Sequence, residues 1–194
     1  MDAVRELIWT GSYGRTTIDQ ICEKAGVRKG SFYHFFKCKS DVAAEALDAD
    51  WAARKAELDA IFSPTVPPLI RLRRFCEHTA QTQAEMQRRF GRVLGCPQFC
   101  LGSEVSTQED RLQKKVQEML EHRRKYLASA IRDAHAAGLV NAPDADAKSR
   151  ILFAYFAGLL TQARIQNDLR VLDEAPDGLL SLLGAAAPPA AVAA

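Results

Sequence analysis

The sequence predicts an all-α protein in which a short N-terminal part of three helices precedes a larger helical part. Hydrophobic residues make up 47% of the 194 residues and charged residues 26%, which suits a chain with a sizeable core. Apolar residues recur at helical spacing, and no segment shows the alternating pattern of a strand. Proline and glycine clusters at 63–68 and 95–97 divide the helical segments.

Residues 16–41 are predicted to form two short helices joined by a tight turn. Thr16 or Thr17 can cap the first helix, because a hydroxyl oxygen accepts a hydrogen bond from the free N–H groups of the first turn. Gly26 ends that helix, since glycine adopts the left-handed conformation that closes a helix. Val27 then begins the second element and fills the angle between the two helices. This is the sequence form of a helix-turn-helix.

The second of these helices is basic and aromatic. Between residues 11 and 40 there are six lysine or arginine residues against two acidic ones, although the whole chain carries a net charge of only +2. A local basic surface suits the phosphate backbone of DNA, where lysine and arginine displace counterions. A solvated helical hairpin is the alternative interpretation of the charge. The turn, the side-chain-free Gly30 and the Tyr33–His34 pair favour DNA binding.

The run AGVRKGSFYHFFKCKSD, residues 25–41, resembles the signature of the TetR/AcrR family of transcriptional regulators. The chain departs from the family pattern at its first helix, because in the family that helix usually begins several residues before the position that matches Met1. His or Tyr is common in the family where Phe35 stands. The matching positions are Ala25, Gly26, Val27, Gly30, Ser31, Phe32, Tyr33, His34, Phe35, Phe36 and Lys39.

The resemblance implies a helix-turn-helix DNA-binding domain over residues 1–45, with a shortened first helix, and a helical effector-binding and dimerisation domain over residues 46–184. It implies a repressor that binds a palindromic operator in double-stranded DNA as a homodimer and is released by a small effector. Phosphate contacts are expected from Thr17, Tyr33 and Lys39. Phe32, Phe35 and Phe36 are expected to hold the hairpin together. Base contacts and close backbone approach are expected from Arg28, Lys29, Gly30, Ser31 and His34.

Periodicity and helix-breaking residues predict five further helices. No helix is predicted between 95 and 106, and the Ala/Pro-rich tail, residues 185–194, is predicted to be disordered. The five helices are expected at 40–62, 69–92, after Ser106 to 137, 144–168 and 174–183.

The segment 144–183 carries more apolar surface than one amphipathic helix face needs. In the resembled family the last two long helices form a four-helix bundle across a two-fold axis, which would place two recognition helices on successive major grooves. The interior of one domain is the alternative explanation. Ile151 is expected in the inward stripe, and the dimer interface is expected at Leu152, Tyr155, Phe156, Leu159, Leu160 and Ala163.

A largely hydrophobic effector, such as an aromatic or drug-like compound, is predicted from a mostly apolar set of candidate pocket residues. Each of them is individually compatible with a plain core position. The set is Trp51, Phe75, Met86, Phe90, Phe99, Met119, Tyr126, Tyr155 and Gln162.

Cys96 and Cys100 frame a helix break and are candidates for a redox or electrophile switch. Reduced thiols without a sensing role are the alternative for them, and Cys22 and Cys76 are expected in the core. The alternative function for the whole chain is accordingly a helical ligand- or redox-sensing protein that acts through protein contacts rather than DNA.

Enzymatic, cofactor and metal-binding motifs are not found in the sequence. There is no nucleophile elbow, phosphate-cradling glycine loop or cluster of metal ligands. No apolar run approaches the roughly 18 residues that span a bilayer, and no charged-then-apolar leader is visible. The sequence therefore predicts a non-enzymatic cytoplasmic protein without a cofactor, a metal or membrane contact.

Overall fold

The computed structural model describes residues 1–105 and 109–185. Within them the chain forms nine α-helices, a short 3-10 helix at Leu169–Leu172 and no strand, so the predicted all-α class is confirmed. The α-helices are α1 Asp2–Thr10, α2 Ile18–Ala25, α3 Lys29–Phe35, α4 Lys39–Ile61, α5 Pro68–Phe90, α6 Pro97–Val105, α7 Asp110–Ala136, α8 Ala145–Gln166 and α9 Ala175–Leu182.

Helices α4, α5, α7, α8 and α9 lie where periodicity predicted them, whereas α6 was missed. Pro97 was interpreted as part of a helix break, but it is the first residue of α6. Proline is favoured at this position because the first helical N–H has no partner within the helix. The predicted disordered tail lies outside the described residues beyond Ala185.

Two compact units make up the chain. The first unit comprises Met1–Glu57 and Leu94–His122, and the second unit comprises Leu58–Val93 and Arg123–Ala194. The first unit therefore contains α1 to α3, most of α4, α6 and the beginning of α7. The domain boundary predicted at residues 45 and 46 stays a prediction.

The first unit has two neighbouring clusters of buried side chains. One cluster joins α1 to α4 around Ile21, Phe32 and Val42. The other brings α6 and α7 against α4, with Leu101 and Met119 among its buried members. Burial of these apolar side chains is the main stabilising contribution to the unit.

The second unit is built around an aromatic cluster. Phe75 lies between Phe62 and Phe156, with ring centroids 5.7 and 4.9 Å away. The buried Arg71 guanidinium donates to the backbone oxygens of Pro64 and Val66, which fixes the turn before α5.

Candidate nucleic-acid interface

Helix α2 begins with a capping box. Gln20 N donates to Thr17 Oγ1 over 3.2 Å, and Thr17 N donates to Gln20 Oε1 over 2.9 Å. The structure thus selects Thr17 over Thr16 as the cap. Gly26 closes the helix in the left-handed region, at φ 66°, as predicted.

Helix α3 packs on the rest of the unit through one side, and its other sides are exposed to solvent. Phe32 is buried against α1, α2 and α4, while Tyr33 is 51% exposed. The prediction that Phe35 holds the hairpin is wrong, because its side chain is 75% exposed, and only Phe32 and the half-buried Phe36 pack inward. The remaining candidate contacts on this helix and its cap are exposed: Arg28, Lys29, Gly30, Ser31 and His34.

Lys29 pairs with Asp19 of α2, with Nζ and Oδ1 2.8 Å apart. The hydrogen bond and the charge of Asp19 raise the pKa of Lys29 above its ordinary value. The pair is exposed, so it can exchange for a phosphate or base contact at little cost.

Lys39 has a positioning role that was not predicted from the sequence. Its ammonium donates to the backbone oxygens of Tyr13 and Thr16 over 2.8 and 3.0 Å. It also lies 4.2 Å from the centroid of the Tyr13 ring, where the negative face of the aromatic system attracts a cation. Lys39 therefore fixes the α1–α2 loop to the start of α4 and positions the helix-turn-helix. Its phosphate contact stays a prediction.

Glu104 of α6 is a positioning residue that sequence reasoning missed. Its carboxylate accepts hydrogen bonds from Ser12 Oγ over 2.6 Å, from Tyr13 N over 3.0 Å and from Gly14 N over 2.6 Å. Tyr13 also donates its hydroxyl to Glu109 over 2.7 Å. We call these bonds to residues 12–14 the Glu104 clamp. A lone acidic residue in a short, mostly apolar segment gives no sequence signal for such a role.

Burial and the hydrogen bonds around the Glu104 clamp shift the pKa values of Glu104 and Tyr13. Partial burial raises the pKa of Glu104, but the hydrogen bonds from Ser12, Gly14 and Tyr13 and the charge of Lys39 outweigh it, so the pKa lies below its ordinary value. Burial, and then the bond to Glu109, raise the pKa of the Tyr13 hydroxyl. The carboxylate is therefore charged, and the phenol neutral, at physiological pH.

Helix-turn-helix geometry at the N-terminus agrees with comparisons with known proteins. A model described as bacterial regulatory proteins, tetR family, matches residues 1–46. A model described as tetracyclin repressor-like, C-terminal domain, matches residues 68–179, which is more than half of the chain. The chain belongs to the TetR family of transcriptional regulators.

Similar proteins span most of this TetR-family chain. The transcriptional regulator AcuR of Cereibacter sphaeroides is 29% identical over 157 residues, 79% of this chain and 69% of that protein. A crystal structure of a regulatory protein TetR from Rhodobacter sphaeroides has a TM-score of 0.80 at 27% identity, over 92% of this chain and 93% of that one. A TetR-family regulator from Agrobacterium tumefaciens has a TM-score of 0.82 at 22% identity, over 95% and 97%, and supports the fold alone. TetR-family regulators bind DNA and are not enzymes, in agreement with the prediction.

The residues predicted for the dimer interface of this TetR-family chain are mostly buried within the protomer. Tyr155 is half-buried against α9, and the others have at most 9% of their surface exposed: Leu152, Phe156, Leu159, Leu160 and Ala163. Ile151, predicted to point inward, is 50% exposed. Most of these large side chains therefore pack within the protomer, while Ile151 lies on the outward face of α8. The dimer interface predicted at these residues stays a prediction.

The predicted effector-pocket residues are divided between the two units. In the first unit Trp51 stacks on His122 at a centroid distance of 4.7 Å, Met119 is buried in the core and Phe99 lines a groove. In the second unit Tyr126 donates to Asp59, and burial together with this bond raises the pKa of Tyr126 to about 12. The other members of the second unit are Phe75, Met86, Phe90, Tyr155 and Gln162, of which Gln162 is exposed.

Cys22 and Cys76 are buried, as predicted, and all five cysteines are free thiols. Cys96 is buried and donates to Gln98 Oε1 over 3.2 Å, whereas Cys100 is half-buried. Their sensing role stays a prediction.

In the described part of the chain, no group of three or more His, Cys, Asp and Glu side chains could hold a metal ion. None of the helices described is both long enough and apolar enough to cross a bilayer.

Proposed function

We propose that this TetR-family regulator represses transcription by binding a palindromic operator as a homodimer, and that a small, largely hydrophobic effector releases it. The observation that carries the DNA-binding part is the exposed basic surface of α3. Phe32 anchors this short helix from beneath, while Arg28, Lys29 and His34 project into solvent. A helix that packs on the protein with one side and presents hydrogen-bond donors on the other suits the major groove of DNA.

Arg28, at the N-cap of α3, is proposed to read a base edge. A bidentate arginine–guanine pair contributes about 1–3 kcal/mol of discrimination against other bases. Operators selected from random duplexes, and the DNA flanking the gene, would be compared in mobility shifts at two salt concentrations. We expect Arg28→Ala to reduce the preference for the selected operator about tenfold or more, and the exposed Arg74→Ala on α5 to leave it unchanged.

Equal weakening of all sequences by Arg28→Ala would make Arg28 a phosphate contact instead. Failure of the folded wild-type dimer to bind any selected duplex would overturn the DNA-binding proposal. It would favour the alternative, a sensor acting through protein contacts by way of Cys96 and Cys100.

The proposed dimer surface is the outward face of α8. Ile151, Ala154, Gly158 and Ile165 recur at helical spacing on this face, and Ile165 is 78% exposed. Exposed aliphatic side chains that recur along one helix face form an apolar patch of the kind that marks an interaction surface, and the small residues between them permit close helix approach.

Ile165→Glu tests the dimer proposal because two charges would meet across the two-fold axis. We expect a monomer by sedimentation and a loss of operator affinity of about 100-fold, since the two half-sites would no longer be bound together. Leu139→Glu introduces the same charge at another exposed aliphatic residue of the second unit and should leave the dimer intact. An Ile165→Glu variant that remains dimeric would refute this interface.

A further inference from the structure

A groove of about 290 Å³ lies between α6 and α7 within the first unit. Phe99, Val116 and Leu120 give it apolar walls, while carboxamides and a hydroxyl stand around them. This volume is at the lower end of that of small-molecule sites, which are typically apolar with a few polar groups that fix orientation. It is therefore large enough for a compound of two or three rings.

Close contact between the two helices shapes the groove. A Cβ added to Gly102 of α6 would lie 2.9 Å from Val116 Cγ1 of α7, so the absence of a side chain lets the helices meet there. Gln98 is almost completely buried, at 1% exposure, and the thiol of Cys96 donates to its Oε1, which orients the carboxamide. The wall of the groove is therefore largely preformed.

The polar groups of the groove carry no net charge. The polar side chains are those of Gln98, Gln113, Gln117 and Ser103, and none of the described residues that line the groove is ionisable. Carboxamides and hydroxyls both donate and accept hydrogen bonds. An ionised ligand would lose hydration here without meeting an opposite charge, so an uncharged ligand is favoured.

We propose that this groove is the effector site, and that the effector is an uncharged, partly aromatic molecule with hydrogen-bonding heteroatoms. The proposal rests on the proposed function as an effector-released regulator and names the ligand class and site for it. Of the residues predicted from sequence to line the pocket, only Phe99 belongs to this groove.

Helix α6 connects the groove to the helix-turn-helix. Ser103 lines the groove, and the next residue, Glu104, holds residues 12–14 through the Glu104 clamp. A nine-residue helix moves as one body, so a ligand that displaces α6 from α7 also displaces the carboxylate. Binding energy that differs between the two positions of α6 is what would shift the protein away from its DNA-binding arrangement.

Two fluorescent probes test the ligand class on the DNA-free protein. N-phenyl-1-naphthylamine is uncharged and has one N–H donor, and 8-anilinonaphthalene-1-sulfonate has the same ring systems with an added sulfonate. We expect the uncharged probe to bind once per chain and the sulfonate to bind at least about tenfold more weakly. Equal or tighter binding of the sulfonate would overturn the assignment of an uncharged ligand.

Variants test the location. Gln117→Glu keeps the size of the side chain but adds a charge, and Ser103→Phe fills the groove from its exposed edge. Each should weaken the uncharged probe about tenfold or more, while Gln81→Glu on the exposed surface of α5 should not change its affinity. Absence of binding to the wild type, or identical affinity in all four proteins, would overturn the proposed site.

Measurements of operator binding show whether a probe bound in the groove acts as an effector or merely occupies the groove. Operator binding of the wild type is first established without probe, since its failure would count against the proposed function itself. Saturation with N-phenyl-1-naphthylamine should then weaken operator binding by the wild type and by Gln81→Glu, but not by Ser103→Phe. An operator affinity that saturation leaves unchanged in the wild type would overturn the effector assignment while leaving the DNA-binding proposal standing.

Discussion

The α2–α3 hairpin and helix α6 are both short, yet they are specified in opposite ways. In the hairpin, the capping box joins residues three apart, and Val27 N closes α2 by donating to Cys22 O over 3.0 Å. Helix α6 is instead tied to residues 90 to 92 positions away through the Glu104 clamp. The surface that would meet DNA is thus encoded locally, whereas its attachment to the rest of the unit is encoded by distant residues.

Glu104→Ala should have the largest effect on stability, because it removes the acceptor for three hydrogen bonds at once. Hydrogen bonds to a charged group contribute about 1.5–3 kcal/mol each, and the partial exposure of Glu104 reduces their sum, so we expect a loss of about 3 kcal/mol. The free energy of unfolding would be measured by urea denaturation. Operator affinity should fall as well, since residues 12–14 lose their fixed position.

Glu85→Ala on the exposed surface of α5 is the matched control and should change the free energy of unfolding by less than about 0.5 kcal/mol. Glu104→Gln keeps the shape of the side chain and one acceptor oxygen, so its loss of unfolding free energy should lie between those of Glu104→Ala and Glu85→Ala. If Glu104→Ala were as stable as the control, the attachment of α6 would be unimportant and the contrast with the hairpin would disappear.

The same contrast explains how much could be predicted from sequence. Closure at Gly26 and burial of Phe32 follow from neighbouring residues and were predicted correctly, and the cap of α2 was narrowed to Thr16 or Thr17. The start of α6 at Pro97 was missed because proline fits both a break and a first helical turn. Exposure of Phe35 and the anchoring role of Lys39 depend on which surfaces the tertiary fold covers, and helical spacing alone does not determine that.

Helical spacing also could not identify the proposed dimer interface on α8. Its periodicity correctly predicted a buried stripe that includes Leu152 and Phe156. A stripe that packs within one protomer and a stripe that packs on a partner have the same period, so the pattern could not assign it. The exposed Ile165 became a candidate only when the fold had accounted for the other apolar residues.

Gly26→Ala should have the next largest effect on the free energy of unfolding, and it tests whether the α2–α3 hairpin is specified by neighbouring residues. A Cβ at this position would meet nothing within 4 Å, so the cost arises from the left-handed backbone, at φ 66°, and is about 1–2 kcal/mol. Gly30→Ala is the matched variant, because it also adds a Cβ in open space but within a helix. It should stabilise the fold by about 0.5–1 kcal/mol in thermal or urea unfolding.

Operator affinity gives a second comparison of Gly26→Ala with Gly30→Ala. If the backbone of α3 approaches DNA closely at Gly30, the stabilised Gly30→Ala protein will bind the operator more weakly than the wild type. Unchanged affinity would show that Gly30 is not at the closest approach. Equal unfolding free energies for Gly26→Ala and Gly30→Ala would contradict the left-handed closure of α2.

Thr17→Ala should cost about 1 kcal/mol, the usual contribution of an N-terminal cap. Thr17→Ser retains the hydroxyl oxygen that accepts from Gln20 N and should be close to the wild type in urea denaturation. A Thr17→Ser protein as unstable as Thr17→Ala would mean that the methyl group, rather than the cap, stabilises the start of α2.

The smallest effect is the pH dependence of the Glu104 clamp. The pKa of Glu104 is lower in the folded protein than its ordinary value of 4.5, so the unfolded chain binds the proton more tightly. The clamp therefore contributes fully above about pH 5.5, and its contribution declines as the pH falls below 4.5 and through the folded pKa. Glu104→Gln is uncharged throughout, so the difference in unfolding free energy between wild type and this variant should shrink on acidification. A difference that stays constant down to pH 3 would show that the charge of Glu104 does not stabilise its bonds to residues 12–14, and that only the shape of its side chain matters there.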